Sequence, residues 1–504
     1  MRLLFLGIAA ASTLAFAAPA NAAWQVAKSK HFIIYADEKP KALAEFASRL
    51  ERFDQAARIL LKMDDPVVGD GNRVTLFVMP SAKDVQKLAG DSFLAGFYVG
   101  QASGPLAYVA KGDEDSTLST DTIFFHEYAH HLMMQQLDQP YPEWYVEGFA
   151  EFLSVPVFGR DGSVGLGVAP QHRGWALFNE KPLPIDALVG ETYGDITKLT
   201  PEFRESVYGR GWLLTHYLTR EPKRAGQFDR YMKAIVTGSS PLEAARAAFG
   251  DLKQLDKDLN GYLNRNQIIG VKINADAIHP AAVDVQPLSE GAAAVILLRA
   301  KIEYGLKGPE RDQAAAQVRA IAARFPGDEL VERTLAEIEL DAGHADAAEA
   351  AADRAIKAAP GTSEPLILKG RAIALRADAL DGDARDKTFD LARDTFIAAN
   401  KLDTENPEPL MEFYKTFPSE GIRPNENAIA ALHYASDLAP QDIGVRINSA
   451  IAYLHEGKLK DARRALVPVA YSPHAGEAAS AARRMIVKID AGDAKGAVSA
   501  ISGN

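Results

Sequence analysis

The chain has 504 residues, a formal net charge of −11, 47% hydrophobic and 24% charged residues, and no cysteine. This composition excludes wholesale disorder, a collagen-like chain and a coiled-coil rod, and the acidic balance argues against a nucleic-acid binder. Without cysteine, disulfides, thiolate metal sites and cysteine nucleophiles are also excluded.

Residues 1–22 have the features of a signal peptide. Arg2 gives a short positive region, Leu3–Phe16 is apolar, and Ala20–Ala22 (ANA) is a small-x-small cleavage site. The apolar stretch is too short to span a bilayer comfortably, and no later run reaches the ~20 apolar residues of a membrane span. We therefore expect an exported protein without a membrane span, which in a Gram-negative cell would be periplasmic.

Residues 23–265 are predicted to form a domain in which strands precede helices. The predicted strands are His31–Ala36, Arg73–Met79, Phe97–Val99 and Leu106–Ala110. Between the first two, residues 39–63 place apolar side chains at helical spacing. After the strands the segment is mostly helical. This order indicates an α+β fold.

Residues 291–504 are Ala-rich, helical and repetitive. Prolines recur about one repeat apart, at Pro326 and Pro360 and again at Pro440 and Pro473. The pattern resembles the tetratricopeptide repeat, in which small residues let two antiparallel helices approach and proline ends the second. The prediction is an all-α repeat solenoid joined to the first domain by a connector at residues 266–290. The alternative is a plain Ala-rich helical domain.

One motif carries recognisable chemistry. Residues 122–135 (TIFFHEYAHHLMMQ) are predicted to form a buried helix that contains HExxH. On a helix, His126 and His130 lie one turn apart on the same face, so both imidazoles can reach one metal ion. Glu127 would face a water at the metal and take its proton during attack on a carbonyl.

A third metal ligand is available in the next predicted helix, which contains WYVEGFAE at residues 144–151. Glu147 follows His130 by 17 positions, which leaves room for a loop and a return. Two histidines and a glutamate leave a fourth position open, as in catalytic zinc sites. Glu151, one turn further, could accept the outer ring N–H of a ligand histidine. The alternative is that both glutamates are ordinary surface carboxylates.

HExxH followed by W-x-x-E-G-F-A-E resembles the gluzincin metallopeptidases, especially their M1-type segment, whose glutamate is the third zinc ligand. The resemblance implies a zincin-like domain that binds Zn²⁺ through His126, His130 and Glu147, with Glu127 as general base. It covers roughly residues 31–262.

A second segment of that clan, Y-x-[KR]-G at a helix start, is similar to residues 207–214 (VYGRGWLL). The clan's tyrosine stabilises the oxyanion, and that role falls on Tyr208. The alternative is a core tyrosine. We interpret Arg210 as a charge at the surface or the helix start.

One departure from the clan bears on the type of cleavage. Its aminopeptidases carry a G-x-M-E-N strand whose glutamate holds the substrate's free amine. The nearest segment here, residues 104–108 (GPLAY), has no glutamate. The sequence therefore favours an endopeptidase, in which this segment, as an edge strand, pairs with an extended peptide.

Several other polar and aromatic residues are interpreted as structural. Isolated histidines are more often structural than catalytic. The residues interpreted this way are His131, His172, Arg173 and His216, and the residues predicted to lie in the core are Trp175, Trp212 and Phe178. The glycine-rich residues 159–167 are predicted to form a turn or hairpin beside the cleft.

Together these features predict an exported zinc endopeptidase that cleaves peptides or unfolded or envelope proteins. The repeats would recruit substrate or a protein partner through a concave surface. One alternative is a repeat-based scaffold or chaperone whose metallopeptidase domain is inactive or latent. Glu127 argues against it, because metal binding does not require that residue. Another is a zinc hydrolase for a different exported substrate, such as the peptide of cell-wall material.

Overall fold

The computed structural model describes residues 24–92, 94, 96–111, 119–136, 141–179, 181–190, 200–265, 267–472 and 475–502. The predicted signal peptide lies outside these residues. The described fold is mostly helical, with a sheet close to its N-terminal end. Within it, no helix is both long and apolar enough to cross a bilayer.

The main sheet has the strand order β4-β5-β3-β2-β1-β9. Its strands are β1 (Trp24–Lys28), β2 (Phe32–Asp37), β3 (Val74–Met79), β4 (Gly96–Val99), β5 (Leu106–Ala110) and β9 (Asp284–Pro287). Strands β2, β3 and β5 are parallel, and the other pairs are antiparallel. The four predicted strands are confirmed to within one residue at each end, and β9 comes from the predicted connector.

The edge strands of this sheet are β4 and β9, and β5 is internal because it lies between β4 and β3 and bonds to both. The prediction that residues 104–108 form an edge strand is therefore wrong. The residues of two short neighbouring strands do not indicate which of the two strands lies at the edge of the sheet. Here the chain forms β4 first and then turns inward to β5.

A small second sheet pairs β6 (Val157–Phe158), β7 (Val164–Leu166) and β8 (Val271–Ile273). Strands β6 and β7 are antiparallel neighbours, which confirms the predicted hairpin in the glycine-rich segment. Strand β8 again comes from the predicted connector, so both sheets are completed by residues that follow the first domain's helices.

Ten α-helices are described before the connector, two of them in the segment that runs from β1 to β5 of the main sheet. They are α1 (Pro40–Leu61), α2 (Ala82–Ala89), α3 (Thr120–Gln136), α4 (Glu143–Leu153), α5 (Gly174–Asn179), α6 (Ile185–Gly190), α7 (Pro201–Arg220), α8 (Gln227–Val236), α9 (Pro241–Phe249) and α10 (Leu252–Leu263). Side chains alternate along each strand between the two faces of the sheet. One face, which includes Leu76 and Val109, forms a core with α1, α3, α4 and α7.

The rest of the chain is an array of helices joined by short turns. Its members are α11 (Glu290–Tyr304), α12 (Gly308–Arg324), α13 (Glu329–Asp341), α14 (Ala345–Ala358), α15 (Glu364–Ala377), α16 (Gly382–Leu402), α17 (Pro407–Glu420), α18 (Glu426–Leu438), α19 (Ile443–His455), α20 (Leu459–Ala470), α21 (Gly476–Asp490) and α22 (Ala494–Ser499). Each helix contacts the next, and α11, α13, α15 and α17 also contact one another in series. Helical hairpins stacked in this way form a repeat array.

The predicted repeat prolines among the described residues have equivalent places in the array, and Pro473 lies outside the described residues. Pro326 and Pro360 follow the ends of α12 and α14, where proline stops the second helix of a hairpin. Gly343 and Gly457 lie between the two helices of their hairpins with φ of 80° and 75°, a conformation that favours glycine. Helix α16, with 21 residues, is longer than the other described helices of the array.

The array packs on the other face of the sheet. Tyr35, Phe77 and Tyr108 form a second core with α11 and α13, and the Tyr108 hydroxyl donates to the Ala300 carbonyl at 2.9 Å. The sheet therefore separates helix α3, which carries HExxH, from the first repeats.

Two loops of the first domain also reach the later repeats. The Asn72 side-chain amide donates to the Leu438 carbonyl at 2.6 Å, and the Ala102 amide donates to Asp442 Oδ2 at 2.7 Å. A Cβ at Gly100 would lie 2.7 Å from the Gln441 carbonyl oxygen, so the approach is close. The side of the array formed by α11, α13, α15 and α17 thus faces the chain's own first domain.

Candidate metal centre

Helix α3 presents the HExxH side chains because two residue patterns run along it in parallel. Phe124, Tyr128 and Leu132 recur every four residues and lie in the core. His126 and His130 recur at the same spacing and lie together on another side of the helix. Ser119 caps the helix by accepting the Thr122 amide at 3.1 Å.

Two glycines bring the next two site helices together. A Cβ at Gly148 in α4 would lie 2.3 Å from the Gly211 carbonyl group in α7. A Cβ at Gly211 would lie 2.6 Å from the Trp144 carbonyl oxygen. Because neither glycine has a side chain, the two backbones touch at this crossing. Glu147 and Tyr208 lie beside it, one on each helix.

The structure brings the three predicted metal ligands together. The Nε2 atoms of His126 and His130 are 3.3 Å apart, and Glu147 Oε2 lies 3.5 Å and 3.6 Å from them. In a tetrahedral zinc site with ligand distances of about 2.0–2.1 Å, neighbouring ligand atoms are about 3.3–3.4 Å apart. The donor types and their separations therefore fit Zn²⁺.

Glu151 lies behind this triangle and contacts His126. Its Oε1 is 3.2 Å from His126 Nδ1, which leaves Nε2 of that ring directed at the other two ligands. Glu151 is buried and also contacts His172 Nε2 at 3.1 Å and Arg173 Nη2 at 2.6 Å. A carboxylate in this position fixes the ring orientation of a metal ligand.

Arg173 joins Glu151 to the helix that carries the predicted oxyanion group. Its guanidinium donates to both carboxylate oxygens of Glu205 in α7, at 2.8 Å and 2.7 Å. It also lies 4.5 Å from the centre of the Tyr208 ring. His172 and Arg173 were interpreted as structural, but both belong to this network. The sequence signal for them is weak, because they lie in a short turn about twenty residues after Glu151.

Tyr208 lies beside His126, with the two ring centres 5.7 Å apart. Helix α7 begins at Pro201, so the prediction that Tyr208 lies at a helix start is wrong. Thr200 caps the helix two turns earlier than the resemblance placed its beginning. Burial, together with the charge of Glu147, raises the pKa of the Tyr208 phenol well above its usual value. The hydroxyl therefore keeps its proton and can donate it in a hydrogen bond.

The site is electronegative. Burial alone would lower the pKa of His126, but the carboxylates of Glu147 and Glu151 outweigh that effect and raise the pKa to about 10. Burial alone would raise the pKa of Glu151, but Arg173 and His126 hold it well below its usual range. Glu127 is half-buried on α3, and its charge also favours protonated His126.

A buried polar network supports α3 from behind and was not predicted. The Tyr128 hydroxyl donates to Asp54 at 2.7 Å, and Arg58 donates to the same carboxylate. The Tyr98 hydroxyl and Nδ1 of His131 form a hydrogen bond at 2.7 Å. Burial lowers the pKa of His131 to about 3, so this ring is neutral, and its contacts make it a supporting residue.

Two further interpretations are corrected by the structure. Trp175 and Phe178 were predicted to lie in the core, but they are 72% and 61% exposed on α5, whereas Trp212 is buried as predicted. Arg210 was interpreted as a charge at the surface or helix start, but it is buried. It contacts Asp256 and donates to Asn260 at 2.8 Å, which ties α7 to α10.

No protein-family model matches this chain, and no curated protein matches it. Among solved structures, the crystal structure of a thermophilic TPR protein from Thermus thermophilus is similar to part of it. The identity is 17%, the match covers 36% of this chain and 90% of that chain, and the TM-score is 0.29. At that TM-score the likeness assigns neither a family nor a function.

Proposed function

We propose that the protein is an exported zinc-dependent endopeptidase that hydrolyses peptides or unfolded or envelope proteins. The observation that carries the proposal is the triangle of His126 Nε2, His130 Nε2 and Glu147 Oε2, with edges of 3.3 Å, 3.5 Å and 3.6 Å. Three such donors with one position left open are typical of catalytic zinc sites.

In this proposal the surrounding residues divide the work of hydrolysis. When bound, zinc would act as a Lewis acid and make water a stronger nucleophile. Glu127 would accept a proton from the attacking water at its carboxylate and pass it to the leaving amine. Tyr208 would donate a hydrogen bond to the oxygen that becomes negative. Glu151, held by Arg173, would keep the His126 ring in position.

A second candidate is a repeat-based scaffold whose metallopeptidase-like domain is latent or inactive. The observation that favours it is the long array of stacked helical hairpins, an architecture suited to binding proteins. A partner at the repeats would bind outside the face that already packs on the sheet. Both candidates place the mature protein outside the cytoplasm, as the N-terminal sequence predicts.

One experiment separates the two candidates. The mature protein, loaded with zinc, would be incubated with unfolded casein beside its Glu127→Gln variant, and fragments would be followed by mass spectrometry. Under the first proposal the parent cleaves, and the variant retains zinc but is about 10²–10⁴-fold slower. A chelator should abolish cleavage, and added zinc should restore it.

Two outcomes would count against the first proposal. Cleavage that survives Glu127→Gln would come from a contaminant or another site. No cleavage by a parent with zinc bound at one ion per chain would favour the scaffold.

A further inference from the structure

A polar cavity of about 270 Å³ lies where the first domain meets the repeats. Its walls are strands β2, β3 and β5, two loops of the first domain near Asp70 and Gln101, and helices α11, α13, α15 and α17. Ile33 and Leu106, which line it, belong to the face of the sheet that packs on the array. The cavity is therefore on the opposite side of the sheet from the candidate metal centre, and its inferred role is independent of the proposed hydrolysis.

Most of the charged side chains that line the cavity are paired with one another. Three arginines each contact a carboxylate of the lining: Arg73 with Asp70 at 2.8 Å, Arg299 with Glu303, and Arg333 with Glu364. In each pair the charges offset one another. These three pairs therefore contribute no net charge to the lining of the cavity.

The remaining lining charges are two cations and three carboxylates. Arg371 Nη1 donates to both oxygens of Glu337, at 3.0 Å and 3.3 Å, and Lys415 donates to Glu412 at 2.9 Å. Glu408 is left over. Its carboxylate makes no side-chain hydrogen bond within the described part of the chain, and the nearest cationic atom is Arg371 Nη1 at 3.8 Å.

Glu408 is nonetheless buried, with 9% of the residue exposed, and it lines the cavity. Burying a carboxylate without a hydrogen-bonded counter-charge is costly. Burial raises the pKa of Glu408 to about 8, because the attraction of Arg371 is partly offset by Glu412 and Glu337. To be ionised inside the cavity, Glu408 therefore needs one further positive group, which the lining does not supply.

We propose that this cavity binds a small organic cation, with an ammonium or guanidinium group that pairs with Glu408. Such a group brings one positive charge and several N–H donors, which are what the leftover carboxylate lacks. A metal ion fits less well, because among the described residues no three lining groups come close enough together to hold one. The volume admits a chain of several heavy atoms beside the charged group.

Titration calorimetry on the full mature chain tests the proposal at about pH 8.5, where Glu408 is largely ionised and both cations keep their charge. The probes are n-butylammonium and n-butylguanidinium, and the controls of similar shape are neutral n-butanol and anionic butyrate. We expect one cation to bind per chain and the controls not to bind. Glu408→Gln should weaken binding by at least about tenfold, because it removes the charge-assisted contact. The two cations separate an ammonium site from a guanidinium site.

Glu426→Gln is the matched control, because Glu426 is exposed on α18 and does not line the cavity. It should bind the cations as the parent does. Circular dichroism would establish that each variant is folded. Failure of both cations to bind the folded parent at about 10 mM would overturn the proposal. Equal affinity of the parent and Glu408→Gln would overturn it as well, because the cation would then bind elsewhere.

Discussion

The two faces of the main sheet carry buried charged sites that are assembled in different ways. On one face, the three candidate metal ligands come from two consecutive helices and lie within 22 consecutive residues. On the other face, the cavity takes its charged groups from segments between Asp70 and Lys415. The first site is defined by a local motif and the second by tertiary packing, so substitutions should affect them in different ways.

The largest effect is expected from loss of a metal ligand. His130→Asn should remove zinc binding at equimolar metal, a greater loss than the about 10–100-fold expected for a residue that only supports a ligand. His131→Asn is the matched control, because His131 is the adjacent residue and bonds to Tyr98 and Gln135 instead. Bound zinc would be measured by atomic emission after dialysis. Equal zinc loss in both variants would mean that helix disruption, and not ligation, is being observed.

The next largest effect tests the helix crossing that holds Glu147 near Tyr208. Gly148→Ala forces a methyl group against the Gly211 backbone, and overpacking of this kind should lower the free energy of unfolding by about 3 kcal/mol. Gly261→Ala is the control, because nothing lies within 4 Å of a Cβ at that position in α10. Relief of the glycine entropy cost should stabilise it by about 0.5–1 kcal/mol. Urea unfolding would show whether the two variants move in opposite directions.

The contrast between the faces also explains what could be predicted from the sequence. His126 and His130 could be predicted because a helix fixes the spacing of side chains one turn apart. Glu147 could be predicted because the next helix follows 17 positions after His130 and carries a recognisable pattern, WYVEGFAE. The strands β2 and β3 were evident from their β-branched and aromatic content. In contrast, Arg173 reaches Glu151 from a separate turn, and β4 forms the sheet edge by tertiary pairing. Glu408 could not be singled out from the sequence. Whether its carboxylate lacks a hydrogen-bonded cation depends on which carboxylates Arg371 and Lys415 already contact in the fold.

A smaller effect is expected when the support of a metal ligand is weakened. Glu151→Gln keeps the shape of the side chain but removes the charge that holds the His126 ring and Arg173. Zinc affinity should fall about 10–100-fold, as for other residues that orient ligand histidines. Competition with a chromogenic chelator measures the affinity. The parallel Glu205→Gln variant, which contacts Arg173 but not His126, should lose less. The reverse order would show that Arg173, and not the His126 contact, is the important partner of Glu151.

The smallest effect concerns the cavity face and has a defined pH dependence. The pKa of Glu408 is raised to about 8 in the folded protein from the 4.5 that is usual for a glutamate side chain, so the unfolded chain loses this proton first. Its contribution to stability is therefore most favourable below about pH 4.5, falls as pH rises toward 8, and is constant above that. Glu408→Gln removes this decline, so its stability relative to the parent should grow by about 1–3 kcal/mol between pH 5 and pH 8. Urea unfolding at the two pH values, without added amine, measures the difference. A pH-independent difference would show that the fold already stabilises ionised Glu408 as well as water does, and the carboxylate would then not need a cationic ligand.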